Sequence, residues 1–80
     1  MNEMYLIYEK GGHVIYLTEN NFEYAPMVSM SSWNLGDKKV SVTTTLREWF
    51  KDISEARVLC RKLVVMLESN GYKLSMSSNE

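Results

Sequence analysis

The chain has 80 residues, 45% hydrophobic and 11% aromatic, with nine Lys or Arg against ten Asp or Glu and a net charge of −1. That is enough for one domain with one modest core, and too little for a deep cleft between two domains. The composition argues against disorder except at the ends, no apolar run is long enough to cross a bilayer, and the near-zero charge argues against a strongly basic nucleic-acid protein.

Residues 4–8 and 14–18 are runs of β-formers, and Gly11-Gly12 between them accepts the positive φ angles of a tight hairpin turn. A two-residue loop pairs Lys10 with His13, Tyr8 with Ile15, and Leu6 with Leu17. Tyr5, Leu6, Ile7 and Tyr8 are apolar at consecutive positions. This predicts cover on both faces, or tyrosines lying along an exposed face with their hydroxyls in water. Residues 19–26 read as a loop: Asn20-Asn21 form turns and Pro26 lacks a donor. Phe22 and Tyr24 make that loop a candidate contact surface.

Residues 27–33 and 39–46 read as a second hairpin turning through 35–38. Val40, Val42, Thr44 and Leu46 are expected on one face. A two-residue loop at Gly36-Asp37 places Trp33 beside Val40 on the inner face. A three-residue loop including Lys38 turns Trp33 outward and buries Val28 and Met30 with Val42. The second register buries more apolar surface and is preferred. Residues 47–51 are expected to form a short helical turn whose Trp49 and Phe50 pin the connection to the core.

Residues 52–71 organise the rest. At 100° per residue, Ile53, Ala56, Leu59, Cys60, Leu63, Val64, Met66 and Leu67 fall within one arc of roughly 160°. Asp52 is expected to accept from the N–H of Glu55 while Glu55 reaches back, a capping box with Asp in place of Ser or Thr. Asn70-Gly71 ends the helix. Residues 72–76 alternate Tyr72, Leu74 and Met76 with Lys73 and Ser75, a candidate fifth strand or a docked tail. The expected architecture is α+β: an antiparallel sheet of four strands, with a fifth in question, and one C-terminal amphipathic helix packed on one face. Residues 1–76 form the single domain and 77–80 a mobile tail.

Little chemistry is legible. His13 is the only histidine and Cys60 the only cysteine. One imidazole and one core thiol do not make a metal site, and no spacing brings a serine to His13 as a nucleophile. Gly11-Gly12 is hairpin chemistry rather than a phosphate cradle. The pairs Glu48/Asp52 and Asp52/Glu55 are the only candidate acid–base dyads, and capping already accounts for the second. No enzyme, cofactor or metal is expected. The lone cysteine and the lack of a secretory leader point to the cytoplasm.

Two binding readings remain. The first is a protein-interaction module, self-associating or bound to a foreign protein, acting as a regulator or inhibitor of a larger protein. Small site-less domains encoded by phages and mobile elements supply the analogy. Its residues are Val58 and Val65, stacked seven apart in the polar arc beside Arg61 and Lys62, together with Phe22 and Tyr24. The second is nucleic-acid binding. The chain is acidic up to Asp37 and basic after it, and Lys38, Lys39, Arg47 and Lys51 are interleaved with Trp33.

Overall fold

The structure, a computed structural model, describes residues 2–36 and 41–78. Its elements are β1 (Asn2–Lys10), β2 (His13–Asn21), β3 (Pro26–Asn34), β4 (Thr43–Trp49), α1 (Ile53–Ser69) and β5 (Lys73–Ser77). All pairings are antiparallel, in the order β4-β3-β2-β1-β5. The fold is α+β with five strands: after α1 the chain returns to the free edge of β1. Ser77 lies within β5, and the Ser78 N–H donates to the Tyr5 carbonyl at 3.1 Å, so ordered structure runs past Met76.

The first hairpin has the expected register, Lys10 opposite His13, Tyr8 opposite Ile15 and Leu6 opposite Leu17. Gly11 and Gly12 turn it with φ of 54° and 83°. The strands run further than their β-formers suggest. Glu19, Asn20 and Asn21, expected in a loop, are paired with Val28, Met27 and Pro26, leaving only residues 22–25 as the connection. β1 supports the same three residues from the other side, and a ladder on both sides overrides the turn preference of asparagine.

The helix begins as predicted at Asp52, but the cap bond differs. The Asp52 carboxylate accepts from the N–H of Ser54 at 3.0 Å, while the N–H of Glu55 goes to the Asp52 main-chain oxygen at 3.1 Å. At the far end Gly71, at φ 87°, allows its own N–H to reach the Glu68 carbonyl and that of Tyr72 to reach Leu67. No basic residue lies in the last turn of α1. Lys10 supplies the cation instead, its Nζ donating to the Asn70 carbonyl at 2.5 Å.

Ala56, Cys60, Leu63 and Leu67 are buried against Leu17, Val28, Tyr8 and Ile15. Ile53, Leu59 and Val64 are half-buried beside them. Met66, placed in the apolar arc by its angle, is 43% exposed. The helix lies across β2 and β3, and the arc it buries is narrower than the apolar arc of its sequence.

Neither expected register of the second hairpin occurs. β4 starts at Thr43, Met30 faces Leu46, and Ser31 faces Thr44. Thr45 is therefore an extra residue, a bulge whose hydroxyl donates to the Met30 carbonyl at 3.0 Å. It sends Leu46 to the core and Thr44 to the opposite face. Val42 precedes the strand and is exposed. Trp49 belongs to β4, not to a helical turn, and is 46% exposed; only Phe50 packs on the core. β5 repeats the device. Tyr8 faces Leu74 and Ile7 faces Met76, so the extra Ser75 puts Leu74 and Met76 on opposite faces.

Candidate functional site: the uncovered face of the sheet

One helix covers one face. On β1 the covered side takes Leu6 and Tyr8, on β2 Ile15 and Leu17, and on β3 Val28 and Met30. Strand alternation then assigns the other side. It carries Glu3, Tyr5, Ile7 and Glu9 from β1; Val14, Tyr16, Thr18 and Asn20 from β2; Met27, Ser29, Ser31 and Trp33 from β3. The edge strands add Arg47 and Trp49, and Lys73 and Met76, through the pairs Ser29–Arg47, Met27–Trp49, Glu9–Lys73 and Ile7–Met76.

Among the described residues no element of secondary structure lies over this face, and its own aromatics lie across it. Tyr5 and Tyr16 stack with centroids 5.8 Å apart and planes 22° apart. The Tyr5 hydroxyl reaches the Met76 sulfur at 3.8 Å. Burial, followed by the nearby Glu3 and Tyr5, pushes the Tyr16 hydroxyl pKa up. Beneath the large rings Val14, Thr18 and Asn20 are buried. Small hydroxyl side chains pair among themselves: Thr18 with Ser29 at 2.7 Å, and Ser31 with Thr44 at 3.5 Å. The Oδ1 of Asn20 is buried without a hydrogen-bond partner among the described residues.

At the lower end of the face, where β2 turns into β3, three rings cluster. Phe22 and Tyr24 stack at 5.7 Å, and Trp49 lies 5.8 Å from the first and 5.5 Å from the second. Tyr24 is 77% exposed. Phe22 and Tyr24 were singled out by the sequence; Trp49 joins them because β4 runs three residues longer than its β-formers.

The helix residues form a different surface. Val58 and Val65 are exposed on the outer side of α1, as their angles require. Val65 and Arg61 line a groove of about 990 Å³ between α1 and β1, floored by Met4, Leu6, Cys60 and Val64. Arg57 at its rim lies 3.7 Å from Glu19. The Cys60 thiol is pushed up to about 11 by burial and then by the charge of Glu19, so it is an inert core group. Lys62 points to solvent.

Among the described residues the basic candidates do not converge. Lys38 and Lys39 lie outside the described residues. Trp33 and Arg47 share the open face, but Arg47 faces Ser29, four residues of strand from Trp33, or ~13 Å. Lys51 is exposed beyond the end of β4. His13 is bonded through Nδ1 to the Tyr72 hydroxyl at 2.7 Å, on the helix side of the sheet. Among the described residues no three His, Cys, Asp or Glu side chains are grouped to hold a metal ion. Among them, too, no helix is long and apolar enough to cross a membrane.

No protein-family model, curated protein or solved structure matches the chain.

Proposed function

We propose that this chain is a non-enzymatic protein-interaction module of a reducing compartment such as the cytoplasm, and that it docks its partner on the uncovered face of the sheet. The observation that supports this most is the distribution of side chains on that face. Its middle, formed by Tyr5, Ile7, Tyr16, Ser29, Ser31 and Trp33, carries no charge. The four charges, Glu3, Glu9, Arg47 and Lys73, lie around it and cancel. An apolar, aromatic centre with a mixed-sign rim is the pattern of a protein interface. Phosphate tracking needs an excess of positive charge, which this face lacks.

The sheet edges support the same choice. β4 and β5 are short and bulged, with Arg47, Glu48 and Lys73 along them, features that discourage a foreign strand from adding to an edge. The helix stripe is the weaker surface: Val58 and Val65 stand among Arg57, Arg61 and Lys62, and single exposed valines are ordinary. A role as regulator or inhibitor of a larger protein fits a small domain that offers such a surface.

Affinity capture from the source cells, with the wild-type chain, a Trp33→Glu variant and a Val58→Asp/Val65→Asp variant, tests this. Loss of the captured protein with Trp33→Glu alone is the expected result. Loss with the helix double variant alone moves the interface to α1, and capture of nucleic acid that collapses with added salt overturns the protein-docking reading.

A further inference from the structure

On the open face the rows of β1 and β3 are complementary across β2, whose own Tyr16 lies between them. On one side β1 presents a ridge, Tyr5 and Ile7. On the other β3 presents a trough at the same level, Ser29 and Ser31. The register fixes this: Tyr5 faces Thr18, which faces Ser29, and Ile7 faces Tyr16, which faces Ser31. Ridge and trough are thus each one strand from β2.

We propose, resting on the docking-face reading above, that the occupant of this face is a second copy of the chain, related by a two-fold axis running along β2. That operation lays β1 of each copy over β3 of the other. Tyr5 comes over the partner copy's Ser29 and Ile7 over its Ser31, twice per dimer, as an isologous contact requires.

Three observations fit this occupant. The trough's hydroxyls each already share a hydrogen bond with Thr18 or Thr44, so each oxygen keeps one partner when the face is covered. Five strands of nearly eight residues on average, ~26 Å long at ~4.8 Å spacing, give a plane of roughly 600 Å², which side-chain relief raises toward the ~800 Å² that each partner of a stable complex buries. The rim of each copy holds two acids and two bases, so two copies meet without net repulsion.

Sedimentation equilibrium on the full chain, from about 1 μM to about 1 mM, is the test. Wild type is expected to rise from 9.3 kDa toward twice that mass. Ser31→Tyr, which fills the trough, should weaken association at least ~100-fold, and Ile7→Ser at least ~10-fold. The double variant Ile7→Ser/Ser31→Ile exchanges the Ile7 part of the ridge with the Ser31 part of the trough, leaving Tyr5 over Ser29, and should restore association to near wild type. Far-UV circular dichroism confirms that each variant is folded, and Val65→Asp, on the helix, should associate like wild type.

A wild-type mass that stays at 9.3 kDa throughout overturns the proposal. So does association indifferent to Ser31→Tyr, failure of the swapped variant to recover, or loss with Val65→Asp in place of Ser31→Tyr. A monomeric wild type whose captured foreign partner is lost with Ser31→Tyr sinks self-docking alone. A captured partner indifferent to Ser31→Tyr and Trp33→Glu sinks the docking-face reading itself.

Discussion

Tyr5 and Tyr16 stack at 5.8 Å on the side of the sheet that the helix does not reach. They are neighbours because Tyr5 faces Thr18 and Ile7 faces Tyr16, so the two rings lie diagonally across a single strand pair. Such a stack contributes about 0.5–1.5 kcal/mol to folding. Tyr16→Ser should therefore leave a folded monomer, less stable by about 1 kcal/mol in urea titration, while partner binding falls at least ~10-fold. A variant that keeps full binding would show that the stack serves the fold alone.

The helix core should respond very differently. Leu63 is buried beside Leu17, Val28, Ala56 and Cys60. Leu63→Ala is expected to cost about 2–5 kcal/mol, whereas Met66→Ala, at a position 43% exposed, should cost under about 1 kcal/mol. Equal costs in denaturant titration would contradict the helix orientation described here.

The Tyr8 hydroxyl donates to the Glu68 carboxylate at 2.8 Å, and burial, followed by Glu68, pushes its pKa up to about 12 from 10.0. Between pH 10 and 12 the unfolded chain releases this proton and the folded chain retains it. Stability should then fall as pH rises, by on the order of 2 kcal/mol, while below pH 10 the contribution of Tyr8 is fully present and independent of pH. Cys60 adds a similar decline from pH 9.0 to about 11. Tyr8→Phe should flatten the upper part of that decline in thermal melts and lower neutral-pH stability by about 1 kcal/mol.

Cys60 is the chain's only thiol and is 4% exposed. Its reaction with an aromatic disulfide reagent at pH 8 should be slow and should follow opening of the core, accelerating as denaturant is added. Immediate stoichiometric labelling of the folded chain would mean that the groove floor is open to reagents.

At the helix C-terminus, Gly71→Ala should cost about 1 kcal/mol, since an alanine at φ 87° is strained although its Cβ would meet nothing closer than the Lys10 side chain at 3.5 Å. Lys10→Ala should cost about 0.5–1 kcal/mol and be largely masked at high salt. Thermal melts at two ionic strengths separate these effects.

Helix α1 and the first hairpin were legible in the sequence. The helix follows from its 3.6-residue repeat with Asp52 and Gly71 at its ends, and the hairpin from two runs of β-formers around Gly11-Gly12. The face assignments of both edge strands were misread for one reason. Thr45 and Ser75 are bulges, and a single extra residue reverses every face assignment beyond it. Nothing in threonine or serine announces a bulge, so Leu46 with Thr44, and Leu74 with Met76, look like neighbours on one face when they are not. The uncovered face did leave a trace: Tyr5, Leu6, Ile7 and Tyr8 are apolar on both sides, and one helix covers only one of them. Trp49 was missed because its place beside Phe22 and Tyr24 depends on where β4 ends.

Both tryptophans of the chain, Trp33 and Trp49, lie on the open face, so tryptophan fluorescence, excited selectively over tyrosine, reports on that face alone. Emission and acrylamide quenching, followed as chain concentration rises and again as any captured protein is added, test the docking role of this face most directly. If the face is the contact surface, emission shifts to shorter wavelength and quenching drops as the complex forms. A complex whose formation leaves both unchanged would contradict it.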